Sequence, residues 1–129
     1  IISIGTPAPD SIQRWMSDQS RHLLVEIPSS AEVRVGPLVI PGKTPCFRCI
    51  ALTEKPHSHE TPRLEESVSD VGSALSLAVA SAIALDLIAF ADRDESVFLA
   101  TSFIYSMRHY QQAEIQRWSQ HHACGCAWN

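Results

Sequence analysis

Apolar and polar positions divide this chain into short strand-like runs and three helical stretches. Residues 1–5, Ile-Ile-Ser-Ile-Gly, form a β-branched run closed by a turn residue, which predicts a buried strand. Thr6-Pro7-Ala8-Pro9 is extended, because each proline disfavours helix in the residue before it. Asp10 or Ser11 then caps a short helix running to Gln19, with Ile12, Trp15 and Met16 on one face. Residues 22–27 predict the next strand, and Ser29-Ser30 turns the chain. Residues 32–40 are again extended but are broken by Gly36-Pro37. Proline has no N–H to give to a ladder, so this segment is expected at a sheet edge or with a bulge.

Pro41-Gly42 ends that segment, and a short helix is expected over 46–54. Residues 55–66 are polar and interrupted by prolines, which predicts a mobile loop. The longest helix is expected over 70–91, rich in Ala, Ser, Leu, Ile and Val with Asp86 inside it. The period then changes to two. Residues 97–105 alternate as a strand with two partly buried faces, and 109–118 alternate as another, with the turn near Arg108-His109. The order is β-α-β-β-α-α-β-β, an α/β or α+β arrangement in a single domain spanning 1–129, with no internal repeat.

Charge narrows the functional classes. The net charge is −4 and no run of lysines or arginines occurs, which argues against nucleic-acid and anionic-membrane partners. The 70–91 helix is long enough to span a bilayer, but its Ser and Ala content, its internal Asp86 and the strands that follow favour a helix buried in a core or at a partner interface. No basic segment precedes an apolar stretch, so no signal peptide is expected. The first residue is Ile1, which reads as a fragment or processed product of a larger protein.

The strongest chemical signal lies in the cysteines. All four fall in two tight pairs, Cys46-Phe47-Arg48-Cys49 and Cys124-Gly125-Cys126. Thiolates at such spacing can grip one ion from a tight turn, and zinc favours four such ligands in a tetrahedron. Gly125 removes steric hindrance at the second bend. The pairs are too far apart for a compact zinc finger, so the fold has to bring them together. Cys46, Cys49, Cys124 and Cys126 are therefore the candidate metal ligands. The alternatives are local disulfides, a redox Cys-x-x-Cys, or unliganded thiols. Paired metal clips also point to a cytosolic setting rather than an extracellular disulfide framework.

His121 and His122 flank the second pair, where one could replace a cysteine; solvated histidines are the simpler reading. His57-Ser58-His59-Glu60 is a weaker candidate for a second metal. Lys43 and Arg48 could touch an anion near the helix beginning at Cys46, although solvated basic side chains are the default. No catalytic acid/base pair, nucleophile motif or phosphate loop is present. The five glycines, at 5, 36, 42, 72 and 125, do not allow a Gly-x-Gly-x-x-Gly.

The string from Val35 to Cys49, Val-Gly-Pro-Leu-Val-Ile-Pro-Gly-Lys-Thr-Pro-Cys-Phe-Arg-Cys, resembles a segment of the ubiquitin-activating-enzyme-like superfamily. That superfamily includes the ThiF, MoeB and HesA types. The resemblance is greatest to the divergent ThiF-family and bacteriocin-biosynthesis cyclodehydratase proteins of actinobacteria, hence to bacterial proteins. His121-His122-Ala123-Cys124-Gly125-Cys126 is similar to their closing Cys-x-Cys clip, and residues 1–10 are similar to their entry into the second half of the fold. The resemblance implies the C-terminal half of an activating-enzyme-type fold: a mixed sheet, a long apolar helix and a four-cysteine clip for structural zinc. It implies that ATP and magnesium, if used, bind in a preceding half, so this piece alone is not expected to catalyse adenylation. It also implies a homodimer and a peptide or carrier-protein partner in the cytoplasm. Two other functions stay open at this point, a stand-alone zinc-stabilised interaction module and a thiol-disulfide redox protein.

Overall fold

The computed structural model describes residues 1–54 and 71–126. The loop expected over 55–66 and the His57-Ser58-His59-Glu60 candidate lie outside the described residues. Five strands form one mixed sheet in sequential order: β1 (Ile2–Ile4), β2 (His22–Ser29), β3 (Glu32–Val39), β4 (Thr101–Ser106) and β5 (Glu114–Arg117). β1 runs parallel to β2, and every later neighbour is antiparallel. Among the described residues three α-helices accompany the sheet: α1 (Pro9–Ser17), α2 (Phe47–Thr53) and α3 (Ser73–Arg93). The element order matches the expected β-α-β-β-α-α-β-β, and the architecture is the expected mixed sheet with a long apolar helix.

Alternation along the central strands sorts the two faces. Leu23, Val25, Val33 and Val35 share a buried cluster with Leu75 and Val79 of α3 and with Phe98. Leu24, Glu26 and Arg34 take the intervening positions and serve the opposite face. There Arg34 Nη1 reaches Glu54 Oε1 at 3.1 Å and Glu26 Oε2 at 3.6 Å, tying the end of α2 to the sheet. Burial raises the pKa of Glu26, and the Arg34 charge opposes that rise.

Of the two alternatives expected at Pro37 the bulge is realised, and the last two strands begin later than expected, β4 at Thr101 instead of 97 and β5 at Glu114 instead of 109. β3 is an interior strand, not an edge, and Pro37 is accommodated by the bulge alternative. The β2–β3 register jumps from Leu23↔Leu38 to Val25↔Val35, so Gly36 and Pro37 together face one residue of β2. On its other side the β4 ladder stops at Val35↔Phe103, and the donation resumes with Leu38 N to Phe98 O at 2.8 Å. Gly36 sits at φ +97, and a Cβ there would overlap the Thr101 carbonyl oxygen.

The strand expected over 97–105 begins only at Thr101. The cause is Asp86, buried on α3. Its Oδ1 accepts from Val97 N at 2.7 Å and its Oδ2 accepts from Ser96 Oγ at 2.6 Å, while Phe98 N donates to Ser96 Oγ at 3.1 Å. These bonds hold 96–98 as a turn that drives Phe98 into the core. Asp94 and Ala100 then take left-handed backbone, at φ +57 and +51.

α3 is long and apolar enough to cross a membrane by length and composition, and little of it is covered by the rest of the chain. Leu75, Val79 and Asp86 face inward, whereas Leu77, Leu85 and Ile88 are 69%, 70% and 59% exposed. The helix therefore has an apolar stripe on each side, of which the sheet covers one.

Candidate metal centre

The centre is assembled by two arms of the chain. The first is built by the end of β3. Ile40 to Thr44 forms a turn in which Lys43 N and Thr44 N donate to Ile40 O at 2.9 and 3.1 Å, and Gly42 takes φ +76. Thr44 Oγ1 fixes this turn, accepting from Ile40 N at 2.8 Å and donating to Leu38 O at 3.3 Å. The chain then enters α2 with Cys46 in extended backbone at the N-cap and Cys49 within the first turn. Residues three apart share a helix face, so both thiols point to one spot.

The second arm returns from β5. Trp118 is buried, its Nε1 donates to Ser102 Oγ at 2.8 Å and its N donates to Ala100 O at 2.8 Å. Beyond it, Cys124 N donates to His121 O at 2.9 Å, and Gly125 takes φ +78. This turn aims Cys124 and Cys126 at the first pair.

All four sulfurs lie within 4.8 Å of one another. Cys46 and Cys124 are 3.4 Å apart, Cys49 and Cys126 are 3.3 Å apart, and Cys46 donates to Cys49 at 3.9 Å. Four sulfurs bound at about 2.3 Å around zinc would stand about 3.8 Å apart. The donor set therefore has the chemistry and nearly the spacing that a tetrahedral ion requires. No pair is joined as a disulfide. Cys46, Cys49 and Cys124 are buried, together with Val39, and Met16 and Phe47 pack against them.

The electrostatics centre on Cys49. Burial alone would raise its pKa, but the His121 N–H, donating to its sulfur at 3.3 Å, and the neighbouring thiol of Cys126 outweigh burial and lower it to about 7. Burial and the thiols of Cys46 and Cys49 push Cys124 and Cys126 up. The thiols are close enough to titrate together, and an ion that binds them would displace their protons. Cys49 is also fully buried, which disfavours the thiol-disulfide alternative, because exchange needs an accessible thiolate.

The other candidates separate from this cluster. His121 contributes its backbone N–H to Cys49, and its ring Nδ1 accepts from Ala123 N at 3.1 Å and stacks on His122 at 4.5 Å. Lys43 and Arg48 are solvent-exposed. Thr44 and Trp118, which place the two arms, were not identified as site residues from sequence; Thr44, one residue beyond a Pro-Gly-Lys turn, carried the only local signal.

A buried histidine adjoins the centre. His22 Nδ1–H donates to Ser20 O at 2.8 Å, and the ring lies 5.3 Å from Trp15 and 5.5 Å from Phe47. Nε2 is buried with no hydrogen-bond partner among the described residues. Burial lowers the pKa of this ring, with the Ser20 bond opposing.

No protein-family model matches the sequence, and no curated protein matches it. Solved structures do match. MccB from E. coli, solved with AMPCPP and MccA, superposes with a TM-score of 0.72 at 14% identity, covering 99% of this chain and 39% of MccB. MccB with ATP gives 0.68 at 17% identity, covering 99% and 40%. The heterocyclase TruD gives 0.59 at 20% identity, covering 92% of this chain and 20% of TruD. The chain thus spans about two-fifths of the MccB chain and a smaller part of TruD. It shares their α/β fold, and the fold implied by the sequence resemblance is borne out.

Proposed function

We propose that this chain is the C-terminal, zinc-holding part of a ThiF/MoeB-type activating-enzyme-like protein that acts on a peptide or carrier-protein partner. The observation that carries this reading is the buried four-cysteine cluster set into an MccB-like fold. Cys46, Cys49, Cys124 and Cys126 would hold one structural zinc ion, whose role is to cross-link the end of β3 to the returning arm. MccB has been solved with ATP and with MccA, which supports a nucleotide-using, peptide-directed parent protein. This chain corresponds to only part of MccB and lacks a glycine-rich loop, so ATP and magnesium are assigned to the portion it does not cover. Such a protein works in the cytoplasm, where paired thiols stay reduced.

The outer stripe of α3 supports a homodimer. Leu77, Leu85 and Ile88 form an apolar row that a second copy would cover by a twofold contact. Sedimentation equilibrium is expected to give a dimer at tens of micromolar. Leu77→Glu with Leu85→Glu should give a folded monomer, and a monomeric parent chain at that concentration would contradict the interface.

The metal assignment is checked by elemental analysis of protein purified without added metal. About one zinc per chain is expected. Metal-free protein that stays folded with four reactive thiols, and takes up no added zinc, would contradict it.

A further inference from the structure

Beyond the end of β5 the chain is attached to the domain in an unusual way. Trp118 is the last residue with its own anchor, through Ser102 and Ala100. From 119 to 126, among the described residues, every hydrogen bond that reaches the rest of the chain ends on a sulfur of Cys46 or Cys49. The remaining bonds are internal to the arm: Cys124 N to His121 O, and Ala123 N to His121 Nδ1. Cys124 is the only buried residue of the eight. The arm is thus a preformed turn, hinged at a buried tryptophan and closed by sulfur.

Thiols are weak donors and weak acceptors, so sulfur contacts alone close such an arm feebly. An ion shared by the four sulfurs closes it strongly, because metal binding supplies the free energy that the missing apolar area does not. We propose that residues 119–126 form a metal-operated latch, shut over the start of α2 when zinc-class metal is bound and released from Trp118 outward when the ion is withdrawn. This rests on the reading that the cluster holds metal. As the ion leaves, each thiolate takes a proton from solvent, with no change of oxidation state. The opened arm uncovers Cys46 and Cys49. The sheet stays folded, because the cluster beneath α3 shares no residue with the cysteine cluster.

Hydrogen exchange on the full chain, with and without a strong divalent-metal chelator, tests the latch, with metal content measured on the same samples. The amides of His121 and Cys124 should exchange roughly 10-fold or more faster after chelation, while those of β2 and β3 stay within about 2-fold. The double variant Cys124→Ser, Cys126→Ser should show the open pattern without chelator. Arm amides unchanged after the metal has been stripped would overturn the latch, as would sheet amides that lose protection together with the arm. A chain that binds no zinc under any condition would remove the metal reading itself, and the latch with it.

Discussion

The two buried clusters of this chain are made of different materials, and β3 runs through both. Beneath α3, Leu23, Val25, Val33, Val35, Leu38, Leu75, Val79 and Phe98 pack by shape, and Phe98 meets Phe103 edge-on at 5.4 Å. One residue further along the strand, Val39 leads into a cluster whose other buried members are all cysteines. The first cluster draws its free energy from apolar area spread over many contacts, and no ion or partner is needed to realise it. The second has little area and four convergent sulfurs, so its cohesion depends on what the sulfurs bind. A fold of this kind can lose its cross-link without losing its sheet, and the two clusters should respond to different insults.

Substitution separates them most sharply. Phe98→Ala should cost about 3–5 kcal/mol in urea unfolding, because a fully buried aromatic leaves a cavity that the sheet and α3 cannot close. Cys46→Ser, compared with the parent in chelator, should cost only about 1 kcal/mol. Its effect should appear in metal affinity, with a loss beyond the roughly 10–100-fold typical of groups that merely support a ligand. If the serine variant proved as destabilising as Phe98→Ala in the absence of metal, the two clusters would be one cooperative unit.

Acid should act on the sulfur side of the molecule, and by less. His22 titrates below its usual 6.5 because it is buried, with Nε2 lacking a partner among the described residues. The unfolded chain therefore binds its proton first. Stability from this group is fully present above pH 6.5 and falls as pH drops toward the folded-state value, by at most about 1.4 kcal/mol per pH unit. Urea midpoints at pH 7.5 and 5.5, both in chelator so that metal release does not contribute, should differ in this direction. His22→Phe, between Trp15 and Phe47, should shrink the difference to the part left by Cys49, whose pKa of about 7 lies in the same window. An acid limb unchanged in that variant would assign it to another group.

Much of this was legible in the sequence because it is local. Short apolar runs bounded by turn residues placed β2 and β3, and the cysteine spacings marked both halves of the centre. What the sequence hid were pairings across the chain. Pro37 permitted an edge or a bulge, and only the registers with β2 and β4 decide between them. The 97–105 run alternates like a strand throughout, yet Asp86, two turns before the end of α3, captures Ser96 and Val97 and delays the strand to Thr101. The cysteine pairs could be matched by chemistry, but not the devices that bring them together. Those are the Thr44 hydroxyl closing the turn after β3 and the Trp118–Ser102 bond that returns the arm.

The central claim is that four sulfurs hold one ion. X-ray absorption at the zinc edge, on protein purified without added metal, tests it most directly. Four sulfur scatterers at about 2.3 Å, with no nitrogen or oxygen in the shell, are expected. In Cys126→Ser one sulfur should be replaced by a light-atom ligand. A shell dominated by nitrogen or oxygen, or one unchanged in Cys126→Ser, would place the metal elsewhere and contradict the account.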